Sequence, residues 1–162
     1  MAMNHDFWLF REGERAYTDY SDLLPRQDAP VSLDDDVLRY FGDTLAWIPT
    51  FNPAKNEQGN GLNWWGPTII HQTGGILFHR VWTSWAQLFA SGPQQLRLQG
   101  DFTWQWPFDE SQHLVNENHL HLLGSYEHLE MDRDWLVRML TTLAWFGEQA
   151  TTGEFFILHL GI

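Results

Sequence analysis

Gly75-Ile76-Leu77-Phe78-His79-Arg80-Val81-Trp82-Thr83-Ser84-Trp85-Ala86-Gln87-Leu88-Phe89-Ala90-Ser91-Gly92 is the stretch on which the fold turns. Apolar residues fall at Ile76, Leu77, Val81, Trp82, Trp85, Leu88 and Phe89. Spacings of three, four and seven draw one broad stripe on an α-helix. Gly92-Pro93 stops it, because proline cannot continue a helix and glycine tolerates the closing turn. A second stripe follows Asp132, through Trp135, Leu136, Met139, Leu140, Leu143 and Phe146 to Gly147. Helices are therefore predicted over most of 76–90 and 133–147.

The segments between and around them read as strands. Leu62 to Ile70 is a strand with a bulge or bend at Gly66-Pro67, where proline donates no ladder hydrogen bond. Leu96, Leu98 and Gly100 alternate with Arg97 and Gln99, and Phe102 to Trp106 continues the two-residue period with a change of face. Glu154 to Gly161 is almost continuously apolar, the pattern of a strand buried on both faces. Phe7, Leu9 and Arg11 alternate with Trp8 and Phe10 up to a turn at Glu12-Gly13-Glu14, with a return strand from Arg15 to Tyr17. Asn52 to Gly61 is polar and reads as an exposed loop. Ser32 reads as the cap of a short helix whose first turn holds Asp34 and Asp35 and which Gly42 ends. The whole, residues 1–162, is expected to be one α+β domain: a mostly antiparallel sheet with two main amphipathic helices packed on it. Trp82, Trp85, Leu88, Trp135, Met139, Leu143 and Ile157 are expected to share its core.

Composition bounds the function. The chain has 162 residues, ten Trp and eleven Phe, so aromatic burial supplies much of the core. Nine Lys plus Arg stand against 21 Asp plus Glu, a formal net charge of −12. That surface repels phosphate backbones and anionic headgroups, which disfavours nucleic acid and membranes as partners. It favours fast encounter with a basic protein. There is no cysteine, hence no disulfide, thiolate nucleophile or cysteine zinc site. Met1 to Asp6 lacks the features of a secretory signal, and no window approaches a membrane span, so a cytoplasmic location is expected.

Candidate chemistry is thin. His119 and His121 would share one strand face at a spacing used by metal sites, with His113, Glu117, Glu127 and His128 near in sequence. The interval to an acidic ligand and the glycine pattern of a cupin site are missing, so no metal and no cofactor is expected. No serine lies in a Gly-x-Ser-x-Gly elbow or a Ser-x-x-Lys pair. Gly74-Gly75 precedes a helix and could hold an anion through its amides, but no P-loop lysine accompanies it. Trp64, Trp65, Trp104 and Trp106 would form a sugar platform if exposed and core if buried. Trp82, Trp85, Trp135 and Trp145 lie on the predicted helices, which weighs toward tryptophan as core filling.

Three segments together resemble a known group. They are Gly61-Leu62-Asn63-Trp64-Trp65-Gly66-Pro67-Thr68-Ile69-Ile70, Trp85-Ala86-Gln87-Leu88-Phe89 with Gly92-Pro93, and Ile157-Leu158-His159-Leu160-Gly161-Ile162. Residues 61–162 so read resemble bacterial immunity proteins of contact-dependent growth inhibition systems. The resemblance implies a small cytosolic protein without enzymatic activity, which binds a cognate toxin domain and blocks it. Many such toxins are nucleases with basic clefts, which an acidic protein can occupy. Such families vary most on the toxin-facing surface, so the resemblance transfers no contact residue. The densest acids on loops and helix ends, Asp34, Asp35, Asp36, Asp109 and Glu110, are the expected toxin-binding residues. A non-enzymatic structural or assembly protein is the alternative, followed by a histidine-based metal enzyme or a sugar-binding domain.

Overall fold

A computed structural model of the chain describes residues 4–24, 28–104 and 124–161. Strands β1 (Asn4–Arg11), β2 (Val31–Asp34), β3 (Pro49–Asn52), β4 (Glu57–Asn60), β5 (Pro67–Ile70) and β8 (Phe155–Leu160) form one sheet, ordered β2-β1-β8-β5-β3-β4. Every pairing in it is antiparallel. Strands β6 (Gln95–Trp104) and β7 (Gly124–Asp132) form a separate antiparallel ribbon. The helices are α1 (Asp35–Tyr40), α2 (Gly42–Leu45), α3 (Gln72–Ala90) and α4 (Arg133–Thr151). The α+β class, with a mostly antiparallel sheet and two long helices packed on it, stands as the sequence predicts. Among the described residues, no helix is long and apolar enough to cross a membrane.

The last strand sits inside the sheet, between β1 and β5, which explains its continuous hydrophobicity. Alternate residues serve two different cores. Phe7, Ile157 and Ile70 face the helices and join Phe78, Trp82, Leu136, Leu140 and Leu143. Trp8, Phe156, Leu158, Leu160 and Ile69 face the other way, where Tyr17, Tyr20, Leu23 and Ala29 from the β1–β2 connection cover them. The helices α3 and α4 touch through small residues. A Cβ built on Gly147 would stand 2.5 Å from the His79 backbone nitrogen, so only glycine permits this approach. There the His79 Nδ1–H donates to the Ala144 carbonyl at 2.9 Å.

Several local expectations are corrected. Arg15 to Tyr17 is not a return strand; β2 takes that place, and Tyr17 instead packs its ring against Phe156. Ser32 does not cap a helix, because Val31 and Leu33 must point into the core from β2. Asp34 is the cap and accepts from the Asp36 backbone N–H at 3.0 Å. Asn52 to Gly61 is a hairpin, not a plain loop: β4 pairs with β3 while all four of its side chains remain exposed. An edge strand open to water on both faces needs no apolar alternation, so its sequence carries no strand signal. Leu88 is 61% exposed, and Ile76 and Trp145 are also exposed. At about 100° per residue, Leu88 lies about 80° round the helix from Phe78, on the flank of the buried stripe. Trp82, Leu143 and Ile157 are fully buried, while Trp85, Trp135 and Met139 pack against the core from half-buried positions.

Candidate functional site

The expected acidic trio falls where β2 runs directly into α1, and the structure splits it. Asp34 spends one oxygen on the helix cap. Asp35 is only 7% exposed and turns inward. Asp36 stays half-buried on the outer side. Asp109 and Glu110 lie outside the described residues, as do His113, Glu117, His119, His121 and Trp106.

Asp35 closes a buried polar chain for which the sequence analysis has no equivalent. Its Oδ1 lies 3.1 Å from His5 Nε2, and His5 Nδ1 lies 2.9 Å from His159 Nε2. His159 Nδ1 lies 3.3 Å from Thr68 Oγ1, which accepts the Asn63 backbone N–H at 2.8 Å. With Asp35 as a carboxylate, one proton pattern satisfies all these bonds. Thr68 donates to His159, His159 Nε2–H donates to His5, and His5 Nε2–H donates to Asp35. On the opposite side of the carboxylate, Arg39 Nε–H donates to Asp35 Oδ2 at 3.0 Å, and Arg39 Nη1–H reaches Asp101 at 2.9 Å. Burial works against the Arg39 cation, but Asp101 and Asp35 outweigh it and raise its pKa. Trp64 lids the assembly, with its ring 4.6 Å from that of His5 and 5.3 Å from the Arg39 guanidinium. Both histidines have zero exposure, so they cannot meet a substrate in this conformation. What the chain does is mechanical: it ties α1 to the central strands β1, β8 and β5.

Asp101 ties α1 to the ribbon as well. One extra residue in β6 between Gln99 and Phe102 makes a bulge. Before it, Leu96 and Leu98 pair with Met131 and Leu129 and pack toward the core. After it, Phe102 and Trp104 stand on the opposite face with Tyr126, their rings about 5 Å apart. This is the change of face read in the sequence. Trp65 and Trp104 are exposed, whereas Trp64 is committed to the buried chain, so these three tryptophans form no single platform.

The ribbon also brings Glu127 toward α1, where its Oε1 accepts from Thr103 Oγ1 at 2.6 Å. Asp36 accordingly has a raised pKa. Partial desolvation is the largest cause, followed by the charges of Asp34, Glu127 and Asp35, with Arg39 opposing them. The outer side of α1 is thus a place where carboxylates repel one another. In the sequence Glu127 reads only as a candidate metal ligand; its approach to Asp36 depends on the ribbon's path and has no signature in local sequence. His128 stands on the alternate face of β7, and among the described residues no three His, Asp or Glu side chains are placed to hold one ion. No family model, no curated protein and no solved structure matches the chain.

Proposed function

We propose that this chain is a bacterial immunity protein of the contact-dependent growth inhibition type, which binds a basic toxin domain in the cytoplasm and occludes its active site. A nuclease is the toxin class that fits best, since its cleft is built to attract phosphate. The single observation that carries the reading is the gathering of Asp34, Asp36 and Glu127 on the outer side of α1, where partial desolvation first and the neighbouring charges second raise the pKa of Asp36. Carboxylates that repel one another on a firmly anchored helix gain from any partner that brings cations to them. Neutralisation of that repulsion is binding energy supplied without a change of fold. The net charge of −12 and the resemblance over residues 61–162 support the same reading.

The reading requires a large secreted protein encoded beside this gene, and the test is co-expression with the C-terminal domain of that protein. Protected cells and a recovered complex are the expected result. Association should slow at least tenfold as salt shortens the screening length below the ~8 Å of physiological buffer, with dissociation changing less. A double Asp36→Asn, Glu127→Gln variant should lose on-rate at low salt and differ little from wild type at high salt. Cells that die with or without this gene, with no complex recovered, overturn the reading in favour of an assembly protein.

A further inference from the structure

The exposed position of Leu88 has a counterpart across a groove. Trp47, at the end of the α2 turn, is 60% exposed and faces the same trough. The floor is Leu77, Val81 and Trp85 of α3, and Thr44, Arg80 and Ser84 complete the lining. The volume, about 350 Å³, is at the small end of the range for small-molecule sites.

The hydrogen-bonding groups of this groove are unevenly committed. Thr44 Oγ1–H donates to the Phe41 carbonyl, and Ser84 Oγ–H donates to the Arg80 carbonyl. The Trp85 indole N–H is spent on Thr44 Oγ1 at 3.1 Å. Both hydroxyl protons and one indole are therefore used within the chain. The Trp47 indole N–H and the Arg80 guanidinium make no hydrogen bond to the described residues, and both can only donate. Among the described arginines, Arg80 shares with Arg11 and Arg138 the lack of a carboxylate ion pair, and of these three it is the one that lines the groove. Arg15, Arg39, Arg97 and Arg133 all have carboxylate partners, in a chain with 21 acids for nine bases. Arg80 has none, and its exposed guanidinium stands at the rim of an apolar trough, open to pair with an anion seated there.

Apolar walls with two free donors, one of them cationic, select a ligand with an apolar body and an acceptor-only anionic head. The geometry points to a binding site for a small amphiphilic carboxylate, of the size of a medium-chain fatty acid, between α2 and α3. The alkyl chain lies between Trp47 and Leu88 and the carboxylate pairs with Arg80. This site is independent of the acidic outer side of α1 and of the immunity reading.

The experiment titrates decanoate and, separately, 1-decanol into the full-length protein while following the indole N–H resonances by NMR. Decanoate should saturate, shift the Trp47 and Trp85 signals, leave the buried Trp82 signal in place, and bind at least tenfold tighter than decanol. Arg80→Gln should reduce decanoate to the affinity of decanol without altering decanol itself. Leu88→Ser should weaken both ligands threefold or more; each position is exposed, and an unmoved Trp82 resonance reports an intact fold. No saturable shift below about 1 mM decanoate, a range in which binding free energy is already weak, overturns the proposal. So does equal affinity for the two ligands with no response to Arg80→Gln, which would mark the groove as an apolar patch for a protein partner.

Discussion

Asp35 and Asp36 are consecutive residues of α1, and their surroundings are opposite. On the core side, Asp35 accepts from His5 and Arg39, and the bonds continue to His159, Thr68 and Asp101. On the outer side, Asp36 is partly desolvated among other carboxylates and its pKa rises. The same side chain is thus a fastener on one side of the helix and an unrelieved charge on the other. The difference teaches where to look for binding in a strongly acidic protein. Net charge alone does not separate carboxylates that hold the fold from those left in want of a cation.

The largest effect that could break this contrast is at Asp35. Asp35→Ala leaves the His5 Nε2–H buried without its acceptor and removes one of two partners from Arg39. The expected loss is about 2–3 kcal/mol in denaturant melts, below the full cost of breaking a buried pair because Arg39 keeps Asp101 and some solvent. Asp35→Asn retains an acceptor oxygen and should lose about half as much. Equal losses from the two variants would show that the hydrogen bond to His5 contributes nothing. A loss under about 0.5 kcal/mol for alanine would remove the distinction between the two sides.

Asp34 lies between these extremes, since it both caps the helix and adds to the acidity around Asp36. Asp34→Ala should cost about 1 kcal/mol through the lost cap. Asp34→Ser keeps the cap and removes the charge, so it should recover most of that stability while lowering the on-rate for a basic partner. A serine variant as unstable as the alanine one would show that the charge, not the cap, is what α1 needs.

The smallest effect on folding is expected at Asp36. Its folded-state pKa lies above the unfolded value of 3.8, so ionised Asp36 disfavours the fold at neutral pH. Asp36→Asn should therefore be equal to or slightly more stable than wild type, within about 0.5 kcal/mol. The advantage should be full above the folded pKa and vanish as pH falls below the unfolded one, where both chains carry a neutral side chain. Urea melts at neutral pH and below pH 4 read the sign directly. A neutral-pH loss that persists in acid would place Asp36 with Asp35 as a structural residue.

Of the stretch read as a strand from Leu62, only Pro67–Ile70 is one, and it begins after the turn at Gly66. The sequence by itself determined the two long helices, the doubly buried last strand and the reversal of face in β6. Each rests on a local period or on the stereochemistry of one residue, and local rules are enough to set them. It also placed Asp34, Asp35 and Asp36 at the start of a short helix. The division of labour among the three was decided only by tertiary structure. His5 and Asp35 are 30 positions apart, and His5 and His159 are 154 apart, so their meeting depends on the strand order β2-β1-β8. The approach of Glu127 to Asp36 depends on the ribbon, and the exposure of Leu88 on how far α4 and the sheet reach around α3. Periodicity states which residues share a face of an element. Which face then meets protein and which meets water follows from contacts between elements distant in the chain, and no window of sequence contains them.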